Sequence, residues 1–287
     1  MKINGIWIPV ITPFLNGSVD YRSLGSLLKY YIGKKISGII PLGTTGECPV
    51  IDEDEFQKII EFTVETVENK VPVYVGLGSN YTAKTVKQLK SVSHIDFQGI
   101  LSVCPYYSRP GQQGIYEHFR AVSESTDRKI LIYNIPYRTG CNIENETLFR
   151  LAELENIIGV KDSCGDIRQS TELIFNKPEG FSVLTGEDVQ FYNTLVLGGD
   201  GGILASAHIE TDKFIEVFDL VMNNDHQGAL EIWKQLAAII PVLFSEPSPA
   251  PLKFLLKNKN MIQSDELRLP MTGISENLKE KLKSVNV

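Results

Sequence analysis

Apolar runs alternating with segments of helical spacing govern what this chain can fold into. The runs fall at residues 5–10, 38–43, 71–78, 99–105, 129–136, 157–164, 181–186 and 201–207, and most are rich in β-branched residues. Continuous rather than alternating apolarity is the mark of a strand buried on both faces of a parallel sheet. Between the runs, apolar residues recur every three or four positions. The faces so formed are Leu24, Leu27, Leu28 and Tyr31, then Phe56, Ile59, Ile60, Thr63, Val64 and Val67, then Val86 and Leu89. They continue with Ile115, Phe119 and Val122, with Leu148, Leu151 and Leu154, with Val189, Tyr192 and Val196, and with Phe214, Val217 and Val221. Strict alternation of strand and helix predicts a parallel sheet, and eight units predict its closure into a (β/α)8 barrel over residues 1–225. An open doubly wound sheet is the alternative on pattern alone. Beyond 225 the strands stop. Residues 228–244 read as a helix with Leu230, Trp233, Leu236 and Ile240 on one face, and 252–256 and 276–282 are helical again. The prolines of EPSPAP, residues 246–251, break the pattern between them. The reading is therefore a barrel followed by a C-terminal helical region, 226–287.

The charge balance narrows the function. A formal net charge of -7 argues against nucleic acid or an anionic membrane as partner. No run reaches the ~18 apolar residues of a membrane span, and the first residues carry no apolar stretch leading to a cleavage site. A cytoplasmic, soluble protein is expected. Cys48, Cys104, Cys141 and Cys164 form no CxxC, which fits reduced thiols, and the four histidines form no metal-ligand motif. Cys48 reads as a small buried hydrophobe.

One residue stands out in the sixth run. Ile157, Ile158 and Val160 lead into Lys161, an ammonium group in a stretch that reads as fully buried. Burying an unpaired lysine disfavours its charged form, and a neutral amine in a dry site is a nucleophile for carbonyl carbon. The alternative is a lysine at a strand end that reaches solvent or pairs with Asp162. In a (β/α)8 barrel the active site lies at the C-terminal ends of the strands. The residues expected there are Thr44, Thr45, Tyr106, Tyr107, Tyr133, Asn134, Arg138, Lys161, Gly186 and Ile203. GTTGE, residues 43–47, offers backbone N–H groups to a carboxylate or phosphate, or is a capped turn. YNIPYRTG, residues 133–140, sets a phenol at a strand end and a guanidinium five residues on. The phenol suits proton relay and the guanidinium bidentate carboxylate binding, or they are a core tyrosine and a surface arginine. GGDGG, residues 198–202, resembles a phosphate loop but lacks GxGxxG or a Walker lysine, and reads as close backbone packing or backbone lining of the site.

GTTGE after the second strand, PYYSRPGQQGIYEHF after the fourth, YNIPYRTG after the fifth and GVKDS at the sixth together resemble the dihydrodipicolinate synthase and N-acetylneuraminate lyase superfamily. The resemblance covers the whole chain. It implies a (β/α)8 barrel with a helical tail, a homotetramer built as a dimer of dimers, and a lysine–pyruvate Schiff base formed without metal or organic cofactor. It gives Lys161 the Schiff-base role and Tyr133 the proton relay, completed by Thr44 and by Tyr107 of a neighbouring subunit. Thr45, with the backbone of Thr44, would hold the pyruvate carboxylate, Gly186 and Ile203 would line the site, and Arg138 would bind the carboxylate of the second substrate. Thr44-Thr45, Arg138 and PYYSRPGQQG resemble the synthase branch, which condenses pyruvate with aspartate semialdehyde in lysine biosynthesis. KDSCGD, residues 161–166, looks closer to the branches that cleave N-acetylneuraminate or 2-keto-3-deoxy sugar acids, which is the alternative, and Ser248 stands where synthases often have Asn. A non-catalytic pyruvate sensor would have no need of the proton relay. Of the pocket through which lysine inhibits related enzymes, Asn80 and Tyr106 match, whereas Cys48, Pro49, Glu53, Phe56 and Lys84 do not.

Overall fold

In the computed structural model, which describes residues 3–284, eight strands in parallel pairing alternate with helices along the chain. They are β1 Gly5–Ile8, β2 Gly38–Ile39, β3 Tyr74–Gly76, β4 Gly99–Val103, β5 Lys129–Asn134, β6 Ile157–Asp162, β7 Ser182–Thr185 and β8 Gly201–Ile203. The chain divides into two compact units. The first is the chain up to Gly5 with Tyr74–Ile203; the second is Ile6–Val73 with Leu204 to the chain end.

The first unit holds β3 to β8 side by side in sequence order. Its core includes Ile100, Leu101, Ile130, Ile132, Val160, Val183 and Leu184, all buried. One irregularity decides where the chemistry points. Ile130 lies opposite Ile157, but Leu131 lies opposite Gly159, so Ile158 is skipped and Tyr133 lies opposite Lys161. Unshifted pairing would set Tyr133 against Val160 and turn Lys161 to the other face of the sheet, because side chains alternate along a strand. Gly159 permits the close pairing with β7, since a Cβ there would run into the Ser182 carbonyl.

Two expectations for this unit change. The fifth strand ends at Asn134, and Pro136–Thr139 forms a short helix with proline in its first turn, where the missing N–H does no harm. After β7 comes a 3₁₀ turn, Asp188–Gln190, before the helix Phe191–Val196. Its tighter winding shifts the helical phase. Phe191 and Leu195 are therefore buried, while Val189 and Val196 are exposed.

In the second unit β1 and β2 pair in parallel, Trp7 with Gly38 and Ile8 with Ile39. β2 is shorter than the run 38–43 suggests. Pro41 brings no N–H to a ladder, and Leu42 has a φ of 61°, so the chain leaves the sheet there. The helix Tyr21–Ile32 buries Leu24, Leu27, Leu28 and Tyr31 as expected, and the helix Glu53–Val67 opens on a capping box of Asp52 and Glu55. A small hairpin, Phe14–Leu15 with Ser18–Val19, turns at Asn16-Gly17, both at positive φ. That dipeptide is a type I′ signal outside the strand count above. Helices Thr211–Met222, His226–Leu243, Ala250–Asn258 and Glu276–Ser284 also belong to the unit. The buried face of His226–Leu243 runs Ala229, Trp233, Leu236, Ile240, Leu243, which leaves Leu230 exposed.

Candidate active site

Lys161 stands near the end of β6 with 6% of its surface exposed. Its Nζ lies 4.2 Å from the centre of the Tyr133 ring on the adjacent strand. Asp162 does not pair with it. Successive side chains leave a strand on opposite faces, and the Asp162 carboxylate instead accepts from Ser170 Oγ at 2.5 Å and from the Cys164 N–H at 3.1 Å. Gly186, after β7, donates its N–H to the Asp162 carbonyl at 2.7 Å. A Cβ at Gly186 would collide with Lys161 Cε and Ser163 Oγ, so the glycine makes room for the lysine stem. Ile203 closes β8 as a buried residue of the same unit.

Burial is the dominant influence on the amine, and it pushes the Lys161 pKa from 10.5 down to about 8. Asp188 and Glu187 oppose it by favouring the ammonium, while Arg138 adds to it by repulsion. Glu187 is itself held above the usual carboxylate range, by burial first and by Asp188 second. These two acids at the start of the β7–β8 connection are absent from the sequence-derived set. They carry no motif, and only the fold brings them within electrostatic reach of a residue some 26 positions upstream. A shift from 10.5 to about 8 raises the neutral fraction near pH 7 by about 300-fold. The rate at which borohydride traps pyruvate on Lys161 should therefore climb about tenfold per pH unit up to pH 8 and then level off. A rate still climbing at pH 10 would show an unshifted lysine.

The segment after β5 is built around Asn134 and Thr139. Asn134, fully buried, donates to Asn142 Oδ1 at 2.8 Å and accepts from the Ile143 N–H at 3.1 Å. Thr139 Oγ1 donates its one proton to the Cys141 carbonyl at 2.8 Å or to the Ile135 carbonyl at 3.1 Å. Between these anchors Arg138 is exposed, with its Nε donating to Tyr137 Oη at 3.1 Å. Tyr107, after β4, is tied by its N–H to the Thr139 carbonyl at 3.1 Å, yet its side chain is 89% exposed. Its φ of 71° is costly for an aromatic residue and marks a constrained loop.

Thr44 and Thr45 belong to the second unit, in the turn after β2. Thr45 is buried and Thr44 half-buried. The turn is closed by the Glu47 N–H donating to the Thr44 carbonyl at 3.1 Å, and Thr12 Oγ1 donates to the Gly46 carbonyl at 2.7 Å. Glu47 forms a buried ion pair with Lys253 of the helix Ala250–Asn258. Cys48, expected to be buried, is only half-buried: it opens the 3₁₀ turn Cys48–Val50 just past the anchored Glu47.

A buried lysine held partly neutral, beside a tyrosine near the C-terminal ends of adjacent parallel strands, is the chemistry of a class I, Schiff-base-forming lyase. Comparison with known proteins agrees with that class and narrows it. The chain belongs to the dihydrodipicolinate synthetase family, which it matches over residues 2–286. It is 57% identical over 282 residues to 4-hydroxy-tetrahydrodipicolinate synthase 2 of Clostridium acetobutylicum, covering 98% of this chain and 99% of that protein. It resembles the crystal structure of dihydrodipicolinate synthase from Thermotoga maritima with a TM-score of 0.96 at 35% identity, over 99% of this chain and 97% of that one. The Aquifex aeolicus dihydrodipicolinate synthase structure gives a TM-score of 0.95 at 35% identity, over 98% and 96% of the two chains. The fold is the (β/α)8 barrel that the alternation predicts. Among the described residues, no helix is long and apolar enough to cross a membrane.

Proposed function

We propose that this chain condenses pyruvate with aspartate semialdehyde to give 4-hydroxy-tetrahydrodipicolinate, a step of the diaminopimelate route to lysine, with Lys161 as the nucleophile. The observation that carries the reading is the buried Lys161 amine, shifted toward its neutral form and set in register against Tyr133. The neutral amine adds to the keto carbon of pyruvate, and loss of water from the carbinolamine leaves an imine. Loss of a methyl proton gives an enamine, which attacks the aldehyde carbon. The amino group of the bound product then displaces Lys161 and closes the ring. Tyr133 relays the protons of imine formation. By the family likeness of GTTGE, Thr44 supports that relay and Thr45 holds the pyruvate carboxylate. Gly186 and Ile203 line the site, and Arg138, exposed and charged, receives the carboxylate of the incoming aldehyde. A polyol aldehyde would instead call for neutral donors at that position. Tyr107 reaches into a neighbouring subunit of a homotetramer, a reading supported by its exposure and its constrained backbone. The barrel, 1–225, carries the site and 226–287 is its helical appendage. The four free thiols suit the cytoplasm.

The test is turnover with pyruvate and aspartate semialdehyde, coupled to the next reductase and followed as NADPH loss. Tyr133→Phe should lower it roughly a hundredfold or more, the size of a general acid–base contribution. Absent turnover with borohydride trapping intact would transfer the reading to another aldehyde. Lysine should inhibit weakly or not at all, because Lys84 presents a positive charge where an acid would be needed to pair with the effector's amine. Half-maximal inhibition by sub-millimolar lysine in a steady-state assay would contradict this.

A further inference from the structure

Cys104 and Cys141 are 37 residues apart in the chain, yet their Sγ atoms lie 3.4 Å apart. Cys104 directly follows β4, is fully buried, and donates its N–H to the Tyr133 carbonyl at 3.0 Å. Cys141 follows the αL residue Gly140 and is half-buried. It lines an open cavity of about 600 Å³ together with Arg109, Gln112, Gly140 and Asn142. One thiol is thus sealed and its neighbour is reachable from solvent. The two segments that carry them are already fastened to each other. Cys141 Sγ donates to the Pro105 carbonyl at 3.1 Å, the Tyr107 N–H to the Thr139 carbonyl at 3.1 Å, and Arg109 Nε to the Gly140 carbonyl at 2.7 Å. Reaching the ~2.05 Å of a disulfide needs little more than an ångström of approach.

We infer that Cys104 and Cys141 are a reversible redox couple, oxidised to an intramolecular disulfide by hydrogen peroxide. Cys141, as thiolate, attacks one peroxide oxygen. The O–O bond breaks, Cys141 becomes a sulfenic acid, and hydroxide leaves to take up a proton as water. Cys104 then attacks the Cys141 sulfur; the S–O bond breaks, the S–S bond forms, and the Cys104 proton leaves with the hydroxide as a second water. Two thiols lose two electrons and one peroxide gains them. The order of attack follows from access. Burial raises the Cys104 pKa and keeps that thiol protonated, so it serves as the resolving partner. Closure would tie the loop that carries Tyr107 to the loop that carries Arg138. Any effect on turnover therefore rests on the function proposed above, whereas the thiol chemistry does not.

The experiment treats the full-length protein with stoichiometric hydrogen peroxide, titrates thiols after denaturation, and maps the peptides under non-reducing conditions. Free thiols should fall from the four of the reduced chain to two, with the Cys104 and Cys141 peptides joined, and dithiothreitol should restore all of them. In Cys104→Ser the link should vanish and Cys141 should be caught as sulfenic acid by dimedone. In Cys141→Ser, Cys104 should stay reduced. Four thiols surviving, loss confined to Cys48 or Cys164, or a link joining two chains would overturn the inference. Turnover is read separately. Activity lost on closure and regained with reductant makes the couple a switch, and full activity of the closed form refutes that regulatory role while leaving the mapping result as it stands.

Discussion

Lys161→Ala should leave a folded protein with essentially no turnover. In a covalent mechanism the nucleophile has no substitute, and removing one lowers the rate by on the order of a millionfold in a well-measured hydrolase. A fall of at least about ten-thousandfold is expected here. Borohydride with pyruvate should likewise fail to add mass to the variant. Near-normal turnover in Lys161→Ala would end the Schiff-base reading, whatever the substrate. The same position makes a second, opposite prediction about stability. A lysine whose pKa falls from 10.5 to about 8 on folding burdens the native state by roughly 3 kcal/mol wherever both states would otherwise be charged. That burden is present in full below pH 8. It fades between pH 8 and 10.5, where the folded protein has released the proton and the unfolded chain still holds it. Lys161→Met, similar in length and apolar, should therefore be the more stable protein at pH 7 in urea, with its advantage shrinking as the pH rises toward 10. The residue proposed to do the chemistry is one the fold would be more stable without.

The alternation of apolar runs and helical faces makes the barrel legible, because each signal is local: a β-branched run, a spacing of three and four, a capping acid. Lys161 is legible for the same reason, as one charge in a run of Ile and Val. What is not legible is the pairing of Lys161 with Tyr133. It depends on a register shift at Ile130 and Leu131, and a strand's sequence does not announce how it phases with its neighbour. Gly159 and Gly186 hint at the crowding around it. Glu187 and Asp188 act on the amine through space and carry no pattern, so only the fold brings them to it. The turn after β7 shows a related limit. A three-residue 3₁₀ segment rotates the helix that follows, and of the positions chosen by spacing alone Val189 and Val196 end up in solvent.

Lys253 is a residue whose weight the sequence conceals, and breaking its pair should cost much of the stability. It is fully buried and ion-paired to Glu47, itself 3% exposed. Its Nζ also donates to the Glu266 carbonyl at 2.9 Å and sits 4.2 Å from the centre of the Phe14 ring. Burial nevertheless pushes the Lys253 pKa down and the Glu47 pKa up, so the pairing offsets only part of the desolvation. Removing one partner strands the other charge in the interior. Lys253→Met or Glu47→Gln alone should therefore cost about 3–5 kcal/mol. The paired replacement, Glu47→Gln with Lys253→Met, should recover much of that loss, since no lone charge remains. Urea unfolding midpoints at constant slope give the comparison, and losses that simply add would mean the two side chains do not depend on each other. Glu47 closes the turn that holds Thr44 and Thr45 and has a left-handed φ of 53°, a conformation the surroundings must enforce. If Thr45 holds the pyruvate carboxylate as proposed, either single variant should raise the KM for pyruvate at temperatures where it is still folded. The tail helix Ala250–Asn258 holds one end of GTTGE in place through this pair, and on the proposed function it would act on catalysis from there.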